Sequence, residues 1–480
     1  MKKILLSFCF YLYAISASAQ FQNPGFEQKT NTNSDLPALW NVAPVAGYTA
    51  ALAGDVKHDG GYSLKMEGKP QDPSKFLNVS QNIPIVVNQI KRIKITAYIK
   101  TENLKGNVAM WCQVWDENKK RIGFENSGMQ GVTITGTSDW QKYSMNLIVP
   151  KAAKSLFFGA YTKGTGTVWF DDFAIEEFDG TNDQPTAEVL KFNKEFTDIV
   201  RQNSIYTDSI NWKSVDEDLK SLGMGLKTIA DARILNNFVL QQLRKAGDNH
   251  SFIQDKVSAK NYSSGNTVQA KPEAKLLPGG LGYIAVPGFG STNIEVMKAF
   301  AANIQTLIKN LDTANKIKGW VVDLRTNTGG NMYPMISGLG PLLDHGKVGY
   351  FIRGRTGNPW IHRKTGMGMT INNPYKVNNR KNKIAVLIGP MTSSSGEMTA
   401  ITFIGQKNTK LFGEPSGGYV TANQMFGLSD GSNLLLASSY VADRNKKKYL
   451  NRIYPDVLVK PVAAQDAALQ AAEVWLKSKN

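Results

Sequence analysis

The chain has 480 residues, a formal charge of +17 and 42% hydrophobic residues, enough apolar content for more than one buried core. Its two cysteines are Cys9 and Cys112, and Cys9 falls in a segment expected to be removed, so a disulfide within the mature chain is excluded and stability must come from packing. Lysine and arginine are scattered, with dense runs at 379–383 and 445–448; no nucleic-acid-binding motif accompanies them, which excludes nucleic acid as a partner and leaves acidic substrates or an acidic envelope surface.

The opening MKKILLSFCFYLYAISASAQ has a basic start at Lys2 and Lys3, an apolar core from Ile4 to Ile15 and the small-residue site Ala17-Ser18-Ala19, the pattern of a cleavable signal peptide over residues 1–19. The apolar core is too short to span a bilayer, and no later run reaches the ~20 apolar residues that a spanning helix needs. The expected product is secreted or periplasmic and does not span the membrane. Cys9 lies in mid-core rather than at the processing site, which argues against a lipid-anchored cysteine.

Residues 20–180 read as many short strands, among them RIKITAYIK, VAMWCQVWD, WQKYSMNLIV, SLFFGAYT and TVWFDDFAIEEF. Alternation at period two with Gly, Asn and Asp punctuation predicts a β-sandwich. Five of the nine tryptophans fall here, Trp40, Trp111, Trp115, Trp140 and Trp169, and tryptophan in a sandwich is chiefly core. The framing motifs NPGFEQ, SDWQKYS and GTGTVWFDDFAIEEF resemble those of jelly-roll carbohydrate-binding modules of the galactose-binding-like type. The resemblance implies a binding or positioning module with glycan contact, and such modules often hold a calcium near positions matched here by Glu27 and Asp172. Two carboxylates alone do not make a metal site, so neither metal nor cofactor is expected.

At FDGTNDQPTAE the texture changes. Gly180, Asn182, Asp183 and Pro185 mark a linker, and helical periodicity follows over residues 186–258, ending near Gly247 with His250 in a loop. From Gly279 strands and helices alternate: LGYIAVPGF, IEVMKAFAANIQTLIKNL, GWVVDLRTNTGG, KIAVLIG and TKLFGEP. That alternation predicts an α/β core over residues 275–480.

Chemistry concentrates in three places. IGPMTSSSGEMTA sets three serines between a strand and a helix, where hydroxyls serve either as helix caps or, beside free backbone N–H groups, as a nucleophile next to an oxyanion site. WVVDLRTNTGGN ends a buried strand at two glycines that admit close backbone approach, with Asp323 and Arg325 suited to a structural ion pair. DNHSF places His250 directly after a helix. With GEPSGG and YPDV, the order of these pieces resembles the S41 family of serine peptidases over about residues 186–460. The resemblance implies a crotonase-like α/β core and selects Ser394, three residues before Glu397, as nucleophile. The backbone N–H of Ser395 and that of Gly329 or Gly330 then form the oxyanion hole.

Members of that family use a lysine after GEP or a histidine in a D-x-H-[ST] context as base. The lysine position holds Tyr419, whereas Asp248-Asn249-His250-Ser251 matches the second pattern, so His250 is the expected general base. The glutamate that such enzymes carry just before the PD motif is missing. Asp443 ranks first as its replacement, ahead of Glu397 and Asn451. His58, His345 and His362 are expected in surface roles.

The leading expectation is an exported serine peptidase acting on peptide or protein substrates through a Ser394 acyl-enzyme. Two alternatives accompany it: a catalytically silent ligand-binding protein on the same scaffold, and an esterase acting on decorated glycans.

Overall fold

The computed structural model describes residues 21–31, 35–177 and 183–478; the expected signal peptide and most of the linker lie outside the described residues. Two compact units emerge. One comprises the described residues up to Leu190 together with Trp212–Gln241, and the other comprises Lys191–Asn211 and the chain from Gln242 onward.

The first unit is built on two long strands, Lys91–Trp115 and Ser155–Glu177, paired antiparallel from Ile93↔Glu177 to Trp115↔Ser155. Four of the five segments expected as separate strands are halves of these two, and WQKYSMNLIV belongs to Gly136–Val149. The first half of Lys91–Trp115 pairs with Gly136–Val149 and its second half with Arg121–Asn126. Along Ser155–Glu177, the early half pairs with Leu77–Pro84 and the late half with Ser63–Gly68. The register shifts between Glu102 and Lys105, and there the ladder turns a corner instead of ending. Glycine makes this possible: a Cβ on Gly106 would meet the Lys163 carbonyl oxygen at 1.9 Å, and one on Gly164 would meet that of Lys105 at 2.2 Å. Folding the sheet over in this way buries Ile93, Ile99, Val108, Met110, Phe158 and Phe170 in one core, the arrangement of a β-sandwich.

Trp40 joins that interior as expected; Trp111 and Trp169 are buried on the opposite face of their strands, alternating with the core residues Met110, Cys112, Val168 and Phe170, and Trp115 and Trp140 are only half-buried. The Glu27 carboxylate accepts the Gly61 and Tyr62 N–H groups at 2.9 and 3.3 Å, and Asp172 meets Nδ1 of His58 at 2.6 Å. Cys112 is fully buried, and its thiol is pushed far above the usual range by burial, then by Glu125, which leaves it unreactive. In the helix Trp212–Gly223 the buried residues Val215, Leu219 and Leu222 recur at helical spacing, the mark of an amphipathic helix.

The second unit holds two six-stranded sheets. In the first, Leu281–Ala285, Gly319–Asp323, Lys383–Ile388, Thr409–Gly413 and Val457–Leu458 run parallel in that spatial order, with Glu273–Leu277 antiparallel at one edge. All five residues of Gly319–Asp323 are buried, as a central parallel strand requires. The helices Ile294–Ala314 and Ala467–Lys477 cover this sheet, Ile304 and Ile308 entering the main core and Leu476 packing with Leu281 and Val321. The second sheet is antiparallel, ordered Thr356–His362, Gly346–Arg353, Asn433–Asp443 and Thr421–Gly427, and the short strand Phe252–Gln254 pairs with residues 433–435. The alternation of strands and helices in the sequence does not announce this second sheet, whose strand Phe252–Gln254 begins two residues after His250.

Gly106→Ala is expected to lower the thermal unfolding midpoint of the chain, at a cost of about 2 kcal/mol or more, because the added methyl forces two paired backbones apart. Calorimetry on the full chain reads it directly. An unchanged midpoint would contradict the close approach at the corner.

Candidate active site

Ser394 sits where the loop after Lys383–Ile388 enters the helix Ser395–Ile401. Its backbone has φ 51° and ψ −120°, a region that non-glycine residues rarely adopt and that aims a side chain out of a strand-to-helix elbow. Strain there persists only where neighbours over-determine it, and the neighbours are identifiable. The Ser394 N–H donates to Glu397 Oε2 at 2.8 Å, that of Ser393 to the Asn327 carbonyl at 3.0 Å, and that of Gly417 to the Thr392 carbonyl at 2.8 Å. The Thr392 hydroxyl donates to the Leu324 carbonyl at 2.9 Å.

Glu397 organises this corner. It is fully buried, and its carboxylate accepts the N–H groups of Ser394, Gly418 and Tyr419 and the hydroxyl of Ser416. Burial pushes its carboxyl above the usual range, against the pull of these four donors. Asn327, also fully buried, works opposite: Nδ2 donates to the Val286 carbonyl and Oδ1 accepts the Gly329 N–H, both at 3.0 Å. Asn327 carries no signal in the sequence, and Glu397, expected there only as an alternative orienting group for His250, holds the Ser394 backbone instead.

The three serines separate by geometry. The Ser394 hydroxyl lies 2.9 Å from His250 Nε2. That of Ser395 donates to the Gly330 carbonyl at 2.6 Å, and that of Ser393 lies against Gly417. Gly329 and Gly330 have φ 102° and 105°; a Cβ on Gly329 would stand 2.9 Å from the Ser394 Cβ, and one on Gly330 would meet the Phe289 carbonyl at 2.0 Å. Only glycine admits this approach. Of the expected oxyanion donors, Gly329 is corrected, because its N–H is spent on Asn327. The N–H groups of Gly330 and Ser395 have no hydrogen-bond partner among the described residues.

His250 follows the helix Ile229–Lys245 and is fixed from three sides. Asp248 Oδ1 accepts the His250 and Ser251 N–H groups, both at 2.9 Å, and Asn423 Nδ2 donates to the His250 carbonyl at 2.9 Å. On the ring, Nδ1 meets the Thr421 hydroxyl at 3.0 Å. The second ring partner is therefore a threonine, at the first position of the strand Thr421–Gly427, where a β-branched residue reads as ordinary strand propensity.

Asp443 does not take that place. Its Oδ1 accepts the Asn445 and Lys447 N–H groups at 2.9 and 3.1 Å, and its Oδ2 accepts the Tyr449 hydroxyl at 3.0 Å. The carboxylate closes the turn between Asn433–Asp443 and Lys448–Tyr449, and a group so committed cannot face the imidazole. Tyr419 stands beside His250 with ring centroids 5.5 Å apart. His362, expected at the surface, is buried with Nδ1 at 2.9 Å from the Asp344 carbonyl; His345 and His58 are exposed, as expected. Asp323 and Arg325 form the expected ion pair, extended by Asp466.

Burial lowers the His250 pKa below the ordinary histidine value, outweighing the raising effects of Thr421 and Asp248. In the tautomer that gives Nδ1–H to Thr421, Nε2 faces the Ser394 hydroxyl as an acceptor. The pair opens on a cleft of about 710 Å³ whose walls include Phe252, Met332, Tyr333, Phe351, Met398 and Met425.

This fold is a β-sandwich module joined to a crotonase-like α/β core, and comparison with known proteins identifies that core as a peptidase. The model of peptidase family S41 matches residues 280–459. The nisin-resistance protein of Lactococcus lactis subsp. lactis is 30% identical over 285 residues, 57% of this chain and 83% of that protein. A solved lipoprotein structure from Streptococcus agalactiae is 26% identical with a TM-score of 0.50, covering 61% of this chain and 97% of that one. The photosystem II D1 C-terminal processing protease is 15% identical with a TM-score of 0.43, covering 61% of this chain and 98% of that one. The chain belongs to peptidase family S41.

Nuclear magnetic resonance of the His250 ring is expected to show titration below the ordinary value of about 6.5. Thr421→Asp, which sets a carboxylate against Nδ1, should raise it by about 1 unit or more. A wild-type ring titrating above the ordinary value would contradict the burial of the imidazole.

Proposed function

We propose that the protein is an exported serine peptidase that attacks peptide carbonyls with Ser394. The observation that carries this reading is the 2.9 Å approach of the Ser394 hydroxyl to His250 Nε2, made by a residue held in a strained elbow. A hydroxyl is a weak nucleophile near neutrality and needs an adjacent base. In the proposed reaction His250 takes the Ser394 proton as Oγ bonds to the carbonyl carbon. The developing oxyanion is received by the Gly330 and Ser395 N–H groups, which are otherwise unspent. His250 then passes the proton to the leaving amine, and water, deprotonated by the same ring, releases the acyl group and restores Ser394.

The orienting group on Nδ1 is a neutral hydroxyl, so no carboxylate bonded to Nδ1 stabilises the imidazolium. Asp248, bonded to the His250 backbone, supplies the nearby negative charge. Export rests on the signal-like residues 1–19, with a secreted or periplasmic destination. The sandwich is proposed to contact glycan or surface-bound substrate, since every residue assigned to the reaction lies in the second unit.

Ser394→Ala and His250→Ala are each expected to lower peptide hydrolysis on the order of 10³-fold or more, because nucleophile and base act as a unit. Ser393→Ala should retain most activity. The rate should rise with pH through the His250 pKa, with its acid limb below about 6.5, since burial favours the neutral ring that acts as base. Turnover by Ser394→Ala equal to wild type, on a peptide the intact protein cleaves, would refute the assignment.

A further inference from the structure

Beside the Ser394 elbow, three loops meet around Gly417 and Gly418. A Cβ on Gly417 would stand 3.1 Å from the Pro390 carbonyl, and one on Gly418 would stand 3.3 Å from the Asn451 carbonyl and 3.2 Å from Arg452 Cγ. These loops carry large apolar side chains pointing into solvent: Met391 is 56% exposed, Leu450 72% and Tyr454 67%. None of the three lines the cleft that holds Ser394 and His250. They stand outside that concavity.

One of these loops, the one that carries Leu450 and Tyr454, is strongly basic. Between Arg444 and Lys460 the chain has six cations and one carboxylate, Asp456, and Asp456 accepts the Leu411 N–H at 2.7 Å. Lys446, Lys447 and Lys448 have no carboxylate within salt-bridge distance among the described residues. Their ammonium groups instead lie 5.7, 5.8 and 5.9 Å from the ring centroids of Tyr350, Tyr449 and Tyr440. Arg452 likewise has no ion-pair partner among the described residues. Unpaired cations on a surface that also exposes leucine, methionine and tyrosine unite the two attractions of an interfacial protein: charge for anionic headgroups, and apolar side chains for the boundary beneath them. An acidic protein would satisfy the charge and leave Leu450 and Met391 unexplained.

We propose that the surface formed by Met391, Lys446–Lys448, Leu450, Arg452 and Tyr454 docks the protein onto an anionic lipid bilayer and so presents the neighbouring cleft to substrates at a membrane surface. The proposal is independent of the chemistry assigned to Ser394, because docking requires no turnover.

The test is co-sedimentation of the full mature chain with vesicles of phosphatidylcholine alone and with vesicles of phosphatidylcholine and phosphatidylglycerol in equal parts. Binding to the anionic vesicles alone is expected, weakening as salt screens the charges. The triple variant Lys446→Gln, Lys447→Gln, Lys448→Gln should bind about 100-fold more weakly, since each lysine near an anionic surface contributes about fivefold. Leu450→Ser with Tyr454→Ser should also weaken binding, although the charge is unchanged. Both variants should keep the wild-type thermal midpoint and rate on a small soluble substrate, and Ser394→Ala should bind vesicles as wild type does. Failure to bind anionic vesicles overturns the proposal. So does binding that the triple variant leaves intact, or binding to soluble polyglutamate that matches vesicle binding and ignores Leu450→Ser with Tyr454→Ser, which would assign the surface to an acidic protein.

Discussion

The contact between the Ser394 hydroxyl and the His250 imidazole is the constraint on which the rest of the second unit depends, because its two partners come from different sheets. Ser394 is set by the end of a parallel strand. His250 is set by the strand Phe252–Gln254 and by Thr421, both in the antiparallel sheet. A separation of 2.9 Å therefore requires the shared core to hold the two sheets in register. That core is dense: Ile284, Val322, Val386 and Ile388 from the parallel sheet and Val348, Trp360 and Val441 from the antiparallel one belong to a single cluster. A cavity in such a core costs about 2–5 kcal/mol for one large side chain, and here it would also disturb the geometry between Ser394 and His250.

Polar groups fix what apolar packing leaves loose. Packing sets distances between layers but is non-directional, whereas a strained backbone such as that of Ser394 needs oriented partners. Glu397 and Asn327 provide them from opposite sides of the elbow, each fully buried and each bridging loops far apart in sequence. Removing either side chain would leave buried donors unpaired, at about 1–3 kcal/mol for each group. The glycines Gly329 and Gly330 complete the arrangement by allowing backbone where side chains would collide.

Much of this was legible in the sequence for reasons that can be named. The parallel strands announced themselves as unbroken apolar runs such as GWVVD, and Ser394 and His250 emerged from the order of short motifs that each mean little alone. The sandwich was legible as a class but not in its connectivity, since glycine punctuation looks the same whether a strand ends or bends; at Gly106 and Gly164 it bends. Asp443 was chosen by its nearness to YPDV along the chain, and chain proximity failed because a turn had already claimed the carboxylate. Thr421 was invisible because a threonine opening a strand needs no functional explanation. The motif left Gly329 and Gly330 open as donors, because only the fold shows that Asn327 occupies the Gly329 N–H.

The central claim is that Ser394 is the nucleophile and that the Gly330 and Ser395 N–H groups receive the oxyanion. It is tested most directly by treating the full chain with a fluorophosphonate and determining the structure of the adduct. The account predicts a single phosphonyl group on Ser394 Oγ, with one phosphonyl oxygen within hydrogen-bond distance of both N–H groups and His250 still beside the ester oxygen. An adduct on Ser393 or Ser395, or a phosphonyl oxygen turned away from Gly330, would contradict it.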